Sequence, residues 1–285
     1  MKIAVVTDSA SNIANENVSM PGLYWVPLQI SEGDQVYLES VTASTSDIVA
    51  LLKEEKVLKT SLPPLGQLEE LFKQLQDEGY EMIFAMCITR GLSSTPDAMI
   101  SAANHVGIPI DYIDCFSTAC LQLELATAAR KMFDDGKSVE EVKIRLQETI
   151  DNSCTFIIAD DMKHLARSGR LSPVAATLAG ILKIKPILYL DKSTQGKIEP
   201  LSKTRTMTKA IEEIVDIYVK KGVGEGYRVG VTHVDNPEGA KQMANLMAEK
   251  LKGAEICVMP LISTVSVHTG IGCLATQYIK LVNTK

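Results

Sequence analysis

Several short stretches of the sequence carry residue types able to hold a charge or move a proton. "KTSLPP" (59–64) sets two adjacent hydroxyls, Thr60 and Ser61, ahead of a proline-led helix start. Proline fixes φ near −65° where a helix begins and its missing N–H costs little. Ser61 can therefore cap that helix. The same geometry also suits an anion, because the positive end of the helix dipole backs the hydroxyl. "ITRGLSST" (88–95) offers a second such place: a strand, a glycine turn, then Ser93, Ser94 and Thr95 opening a helix with Pro96 in its first turn. No GK[ST] follows, so this is not a Walker A loop, and the glycine spacing is not the dinucleotide G-x-G-x-x-G. Two hydroxyl-rich helix starts point to an anionic ligand held by neutral donors.

Three further motifs have narrower readings. "VTDSASN" (6–12) ends a strand on Asp8, but the second aspartate that aspartyl-phosphate chemistry requires is Ala10, which leaves Asp8, Ser9 and Ser11 a capping and turn role. "SVHTGIG" (266–272) places His268 and Thr269 before Gly270 and Gly272, which allow a ligand oxygen to approach closely. In "ARSGRLSP" (166–173) two arginines bracket Ser168-Gly169, and the glycine turn aims Arg170 at solvent or at an anion; His233, before an Asn-Pro turn, reads as structural. The four histidines and six cysteines show no HExxH or CxxC spacing, so no metal site is expected.

The elements that must position these residues follow from pattern and composition. With 285 residues, 46% of them hydrophobic and only 5% aromatic, the chain can build a large core of mainly aliphatic material. Such an interior suits an alkyl chain better than a stacked base. The net charge of −6 and the lack of any Lys/Arg run beyond two residues give no positive footprint for nucleic acid. The start "MKIAVVTDSA" is too short for a signal-peptide core, and the segment 173–190 is broken by Lys183, Lys185 and Pro186. A cytoplasmic protein with buried, reduced cysteines is expected.

Short apolar runs alternate with helical patterns up to about residue 153. Strands are expected at 2–7, 25–30, 82–88 and 108–113, and helices at 46–55 (capped by Ser46), 68–79, after 95, 117–135 and 138–151. This order predicts an α/β fold with a parallel, doubly wound sheet, whose ligand edge is the carboxyl end of its strands. Beyond 153, strands at 154–159, 185–190, 197–203, 228–234 and 254–261 mix with helices at 160–168, 172–183, 206–221 and 237–252 and a final helix near 271–282. That mixture predicts an α+β domain over 154–285, following an α/β domain over 1–153.

The motifs "VTDSASN", "KTSLPP", "ITRGLSST", "ARSGRLS", "LKIKPIL" (182–188) and "HTGIG" (268–272) occur in the order found in the DegV family of bacterial fatty-acid-binding proteins. The chain resembles that family over essentially its whole length. The resemblance implies a two-domain α/β protein enclosing one long-chain fatty acid in a tunnel near the domain junction. It implies a non-catalytic, acyl-carrying subunit that presents the carboxylate to a separate ATP-dependent fatty acid kinase subunit, yielding an acyl phosphate for phospholipid synthesis. By position, Thr60, Ser61, Ser93 and His268 would bind the head group, while Arg170 would serve the tunnel mouth or the partner. No cofactor is implied. The sequence departs from the family pattern at Arg90, at Pro96-Asp97 and at Ser168.

The energetics agree with such a ligand. Burying about 16 methylenes at roughly 0.8 kcal/mol each gives on the order of 12 kcal/mol before ordering costs. The head group then needs no buried ion pair, whose desolvation offsets its attraction. Two other readings compete: a phosphotransferase or hydrolase acting on a small anion through Asp8 or His268, and a small-molecule sensor or scaffold.

Overall fold

The structure, a computed structural model, describes residues 1–181 and 184–284. The chain opens with β1 (Ile3–Asp8), a 3-10 turn at Ser9–Ser11 and β2 (Leu23–Val26). A hairpin, β3 (Gln29–Glu32) and β4 (Gln35–Leu38), precedes α1 (Thr45–Lys53) and β5 (Leu58–Ser61). Next come α2 (Leu65–Asp77), β6 (Met82–Met86), α3 (Thr95–Val106) and β7 (Ile110–Tyr112), then α4 (Ala119–Asp134) and α5 (Val139–Asp151). β1, β2, β6 and β7 form a parallel sheet in the order β2-β1-β6-β7. Successive residues of a strand point to opposite faces. Val5, Phe84 and Met86 accordingly pack on α4 and α5, whereas Val6, Ile83 and Ala85 pack on α2 and α3. This is the doubly wound arrangement expected from the alternating pattern.

The second half contributes β8 (Cys154–Ile158), α6 (Met162–Arg167) and α7 (Pro173–Ala176), the last running into a 3-10 turn at Thr177–Gly180. β9 (Lys185–Leu190) and β10 (Glu199–Thr204) form the expected hairpin, followed by α8 (Met207–Lys220), β11 (Tyr227–His233) and α9 (Pro237–Lys250). β12 (Glu255–Pro260), α10 (Ser263–Thr269) and β13 (Leu274–Lys280) complete it. The six strands form one sheet, β10-β9-β8-β13-β11-β12, antiparallel except between β11 and β12. One face, including Phe156, Ile158, Val229 and Val231, is covered by α8 and α9. The other face turns toward the first half of the chain.

Several expectations are corrected. The stretch 271–282 is not a helix: β13 is the fourth strand of the six, hydrogen-bonded to β8 and β11 on its two sides. Buried on both faces, it shows neither a helical nor an alternating pattern, and Gly270 and Gly272, both at positive φ, break the chain away from α10 just before it. The run 25–30 divides at Pro27 between two sheets, because proline cannot donate to a ladder. Thr60 and Ser61 lie on β5, paired with Ile30 and Gln29, and the two prolines hold them away from α2, whose first turn has no side-chain cap. α1 is capped by Ser44 in a reciprocal box with Asp47 and not by Ser46. The helix foreseen over 172–183 is short and tightens into the 3-10 turn; Leu182 and Lys183, also part of the "LKIKPIL" motif, lie outside the described residues.

Candidate functional site

Between the exposed face of the six-stranded sheet and the loops of the parallel sheet lies a cavity of about 470 Å³. That is the usual size of a small-molecule site. Its floor follows from strand alternation. Thr155 and Ile157 on β8, Leu190 on β9, Thr232 on β11, and Ala275 and Gln277 on β13 all present the face that α8 and α9 do not cover. The walls come from the Thr60–Leu62 strand end, the Ile88–Ser94 turn, α10 and the Leu165–Arg170 segment. Much of the surface is aliphatic, as the composition foretold.

Thr60, Ser61, Ser93, Arg170 and His268 all line this cavity. Thr60 and His268 touch, with Oγ1 2.7 Å from Nε2 across 208 residues of chain. Burial, with help from Arg170 and His164, pushes the His268 imidazole down to about 4, so it is uncharged at neutral pH. The ring sits in the last turn of α10, not at the start of a helix. His164 holds that turn in place, its Nε2 2.8 Å from the Val267 carbonyl. The Ser93 hydroxyl lies 2.8 Å from Thr95 Oγ1 and accepts the Thr95 N–H, which fixes it at the entrance of α3. The Arg170 guanidinium donates to the Ser168 carbonyl, bending the arginine back over the Gly169 turn.

The departures at Arg90, Asp97 and Ser168 lie on the cavity lining or in contact with it. Arg90, which lines the cavity, forms a half-exposed ion pair with Asp97 at 2.9 Å and lies over the Tyr112 ring. Ser168 supplies the carbonyl that Arg170 binds. Beside them, the turn at Gly91 meets the β9–β10 turn at Gly196. A Cβ on Gly91 would fall 2.3 Å from the Gly196 carbonyl, and one on Gly196 would fall 2.1 Å from Thr89 Oγ1. Only two glycines allow this approach, which joins the two halves of the chain at the rim.

Asp8 is placed elsewhere. It is fully buried behind the wall, does not line the cavity, and accepts the N–H groups of Ala10 and Ile88 and the Gln122 amide. Burial pushes its carboxyl up to about 6. Its capping role holds, and it anchors the Ile88 end of the wall. His233 is structural too, accepting the Asn236 N–H at its Nδ1.

Sequence reasoning missed two polar groups. Gln277, buried in the floor, donates to Thr155 Oγ1, Ser117 Oγ and the Thr118 carbonyl, each at 2.9 Å. Reading 271–282 as a helix hid it. Glu39, buried beside the cavity, accepts the Thr264 N–H at 2.7 Å and the Ser9 and Thr264 hydroxyls, capping the helix that carries His268. No local signal marks it, since its partners lie 30 and 225 residues away. Among the described residues no group of three His, Cys, Asp or Glu is placed to hold a metal, and no helix is long and apolar enough to cross a membrane.

Comparison with known proteins places this architecture. The family model described as "Uncharacterised protein, DegV family" matches residues 2–281. A DegV domain-containing protein of Streptococcus pneumoniae is 28% identical over 284 residues, covering 99% of this chain and 100% of its own. DegV of Bacillus subtilis, solved as a fatty acid binding protein, is 28% identical with a TM-score of 0.86, covering 98% of this chain and 99% of that one. A fatty acid binding DegV family protein from Streptococcus agalactiae gives the same TM-score at 26% identity, covering 98% of this chain and 99% of that one. With motifs, fold and family model agreeing along its length, the chain belongs to the DegV family.

Proposed function

We propose that this protein binds one long-chain fatty acid, alkyl chain in the cavity and carboxyl group among Thr60, Ser61, Ser93 and His268. The observation that carries the reading is the Thr60–His268 contact: neutral donors meet at one edge of a mainly aliphatic cavity. A charged imidazole there would form a buried ion pair with the carboxylate, whose desolvation offsets its attraction. An uncharged one donates or accepts a hydrogen bond and leaves the second carboxylate oxygen open. The solved relatives that bind fatty acids support the same ligand class.

In this proposal the protein is a carrier without catalysis of its own. It offers the open carboxylate oxygen to a separate kinase subunit, where that oxygen attacks the γ-phosphorus of ATP, ADP departs and an acyl phosphate forms. Arg170, at the rim, serves the head group or the partner. We place the carrier in the cytoplasm and divide it at residue 153. The division is supported by the six-stranded sheet, which is drawn wholly from later residues, and by the parallel sheet, drawn wholly from earlier ones.

Mass spectrometry of ligand released from denatured, freshly purified protein tests the reading. One long-chain fatty acid per chain is expected; a nucleotide or sugar phosphate overturns it. Ser93→Ala and Ser61→Ala should each weaken lipid retention by roughly 5–10-fold, the worth of one hydrogen bond of about 1–1.4 kcal/mol, with unchanged thermal unfolding. Unchanged retention in both removes these hydroxyls from the site.

A further inference from the structure

Three sulfur atoms meet away from the cavity, where α4 packs on the strands β11 and β12. Cys120 lies in the first turn of α4, immediately after Thr118 and Ala119, which line the cavity wall. Its Sγ rests on Gly230 of β11, where a Cβ would come within 2.6 Å of it. The residue paired with Gly230 on parallel β12 is Cys257. Paired residues of adjacent strands point to the same face. The Cys257 thiol therefore lies on the face against which Cys120 packs, and its S–H donates to the Val229 carbonyl at 3.6 Å. Met259, two residues along the same face, brings its sulfur within 3.8 Å of Cys120 Sγ.

The two thiols differ in the way a reactive pair requires. β12 is the edge strand of its sheet, and Cys257 is only half-buried there, whereas Cys120 is buried. The neighbouring Cys120 thiol and the Arg228 guanidinium lower the Cys257 thiol below its usual range. The neighbouring Cys257 and burial raise Cys120. A solvent-reachable thiol of lowered pKa beside a resolving thiol is the arrangement of a peroxide-sensitive dithiol. The remaining four cysteines, Cys87, Cys115, Cys154 and Cys273, are buried.

We propose that Cys120 and Cys257 are an oxidisable pair, converted by a peroxide into a disulfide that joins the first turn of α4 to β12. The Cys257 thiolate attacks one peroxide oxygen, breaking the O–O bond to give a sulfenic acid and hydroxide. Cys120 sulfur then attacks the Cys257 sulfur, the S–O bond breaks, and the Cys120 proton leaves with that oxygen as water. Two electrons pass from the two sulfurs to the peroxide, and a dithiol reductant reverses the step. The bond would fasten the α4 end of the cavity wall to the six-stranded sheet. The proposal stands apart from the identity of the ligand.

The test is peptide mapping of the full chain after hydrogen peroxide, alkylated without reductant. The expected product is a Cys120–Cys257 linked peptide pair that dithiothreitol separates. Cys120→Ser should stop at a Cys257 sulfenic acid captured by dimedone, and Cys257→Ser should leave Cys120 reduced. Both wild-type peptides alkylated as fully as before peroxide would overturn the proposal, as would Cys120 linked to any other cysteine. Because the wild-type map alone decides the matter, a variant that fails to fold does not blunt the test.

Discussion

The two large sheets of this protein use their faces differently. The parallel sheet is covered by helices on both sides, α4 and α5 on one and α2 and α3 on the other, and its central strands β1 and β6 are almost wholly buried. The six-stranded sheet has α8 and α9 across one face, and its other face, where α4 and α5 leave it free, is the floor of the cavity. Binding room thus comes from an uncovered sheet face. The parallel sheet contributes the loops at the carboxyl ends of its strands, above all the turn after β6 that carries Ser93. That is the edge on which ligands of open α/β sheets are held.

The contrast is broken most directly by adding bulk to each sheet. Ala275 of β13 faces the cavity, while Ala85 of β6 faces α2 and α3. Ala275→Phe should fold and lose fatty acid affinity by on the order of 10²-fold, about 3 kcal/mol or the burial of about four methylenes. Ala85→Phe should instead destabilise by about 1–3 kcal/mol, because a close-packed layer has nowhere to put the ring. Ligand titration and denaturant unfolding of both variants separate the outcomes. Equal effects on stability would mean that the cavity face is as closely packed as the helical one.

The parallel sheet was legible in the sequence because its strands are separated by well-patterned helices such as 68–79 and 138–151. That Thr60, Ser61, Ser93, Arg170 and His268 meet at one cavity was legible as well, but through motif resemblance more than through local structure. Thr60 and Ser61 were read as a helix start, yet they pair across β5 with β3, a strand only four residues long. His268 was placed before a helix that is in fact β13. A central strand buried on both faces carries no period for a pattern to reveal, and its pairing with β8 and β11 spans distances of about 120 and 45 residues that local reasoning does not reach. The carboxyls that brace the site, Asp8 and Glu39, act through partners 80 and 225 residues along the chain.

Buried titratable groups sharpen the same comparison through pH. His268, largely buried on the cavity lining, falls from 6.5 to about 4 on folding. Its contribution of about 3 kcal/mol is fully present above pH 6.5 and is lost as pH falls toward 4. Asp8, at the end of the parallel strand β1, rises from 3.8 to about 6. Its contribution, also about 3 kcal/mol, is present below pH 3.8 and is lost as pH rises through 6. Glu39, raised by burial, adds to the direction of Asp8. The two signs oppose each other between pH 4 and 6.5. Relative to wild type, His268→Gln should make stability fall more steeply with rising pH across that window, and Asp8→Asn should tilt the slope the other way. Urea unfolding at several pH values reads both, and parallel curves for all three proteins would contradict the assignment.

The smallest effects compare two glycines. Gly91 faces the backbone of Gly196 across the seam, whereas Gly66 in α2 has open space around it. Gly91→Ala should cost about 1–3 kcal/mol. Gly66→Ala should stabilise by up to about 1 kcal/mol through helix propensity and a less flexible unfolded chain. Differential scanning calorimetry would show the midpoints moving in opposite directions.

The position of β13 has a consequence for biosynthesis. Every other strand of its sheet precedes it in chain order, and both of its neighbours, β8 and β11, must wait for it before their ladders close. A ribosome delivers residues in sequence. The floor that Ala275 and Gln277 complete cannot exist while the nascent polypeptide stops short of residue 274. A partly made chain therefore has no finished chamber, and the lipid capture proposed above would be deferred until the sheet has been zipped shut.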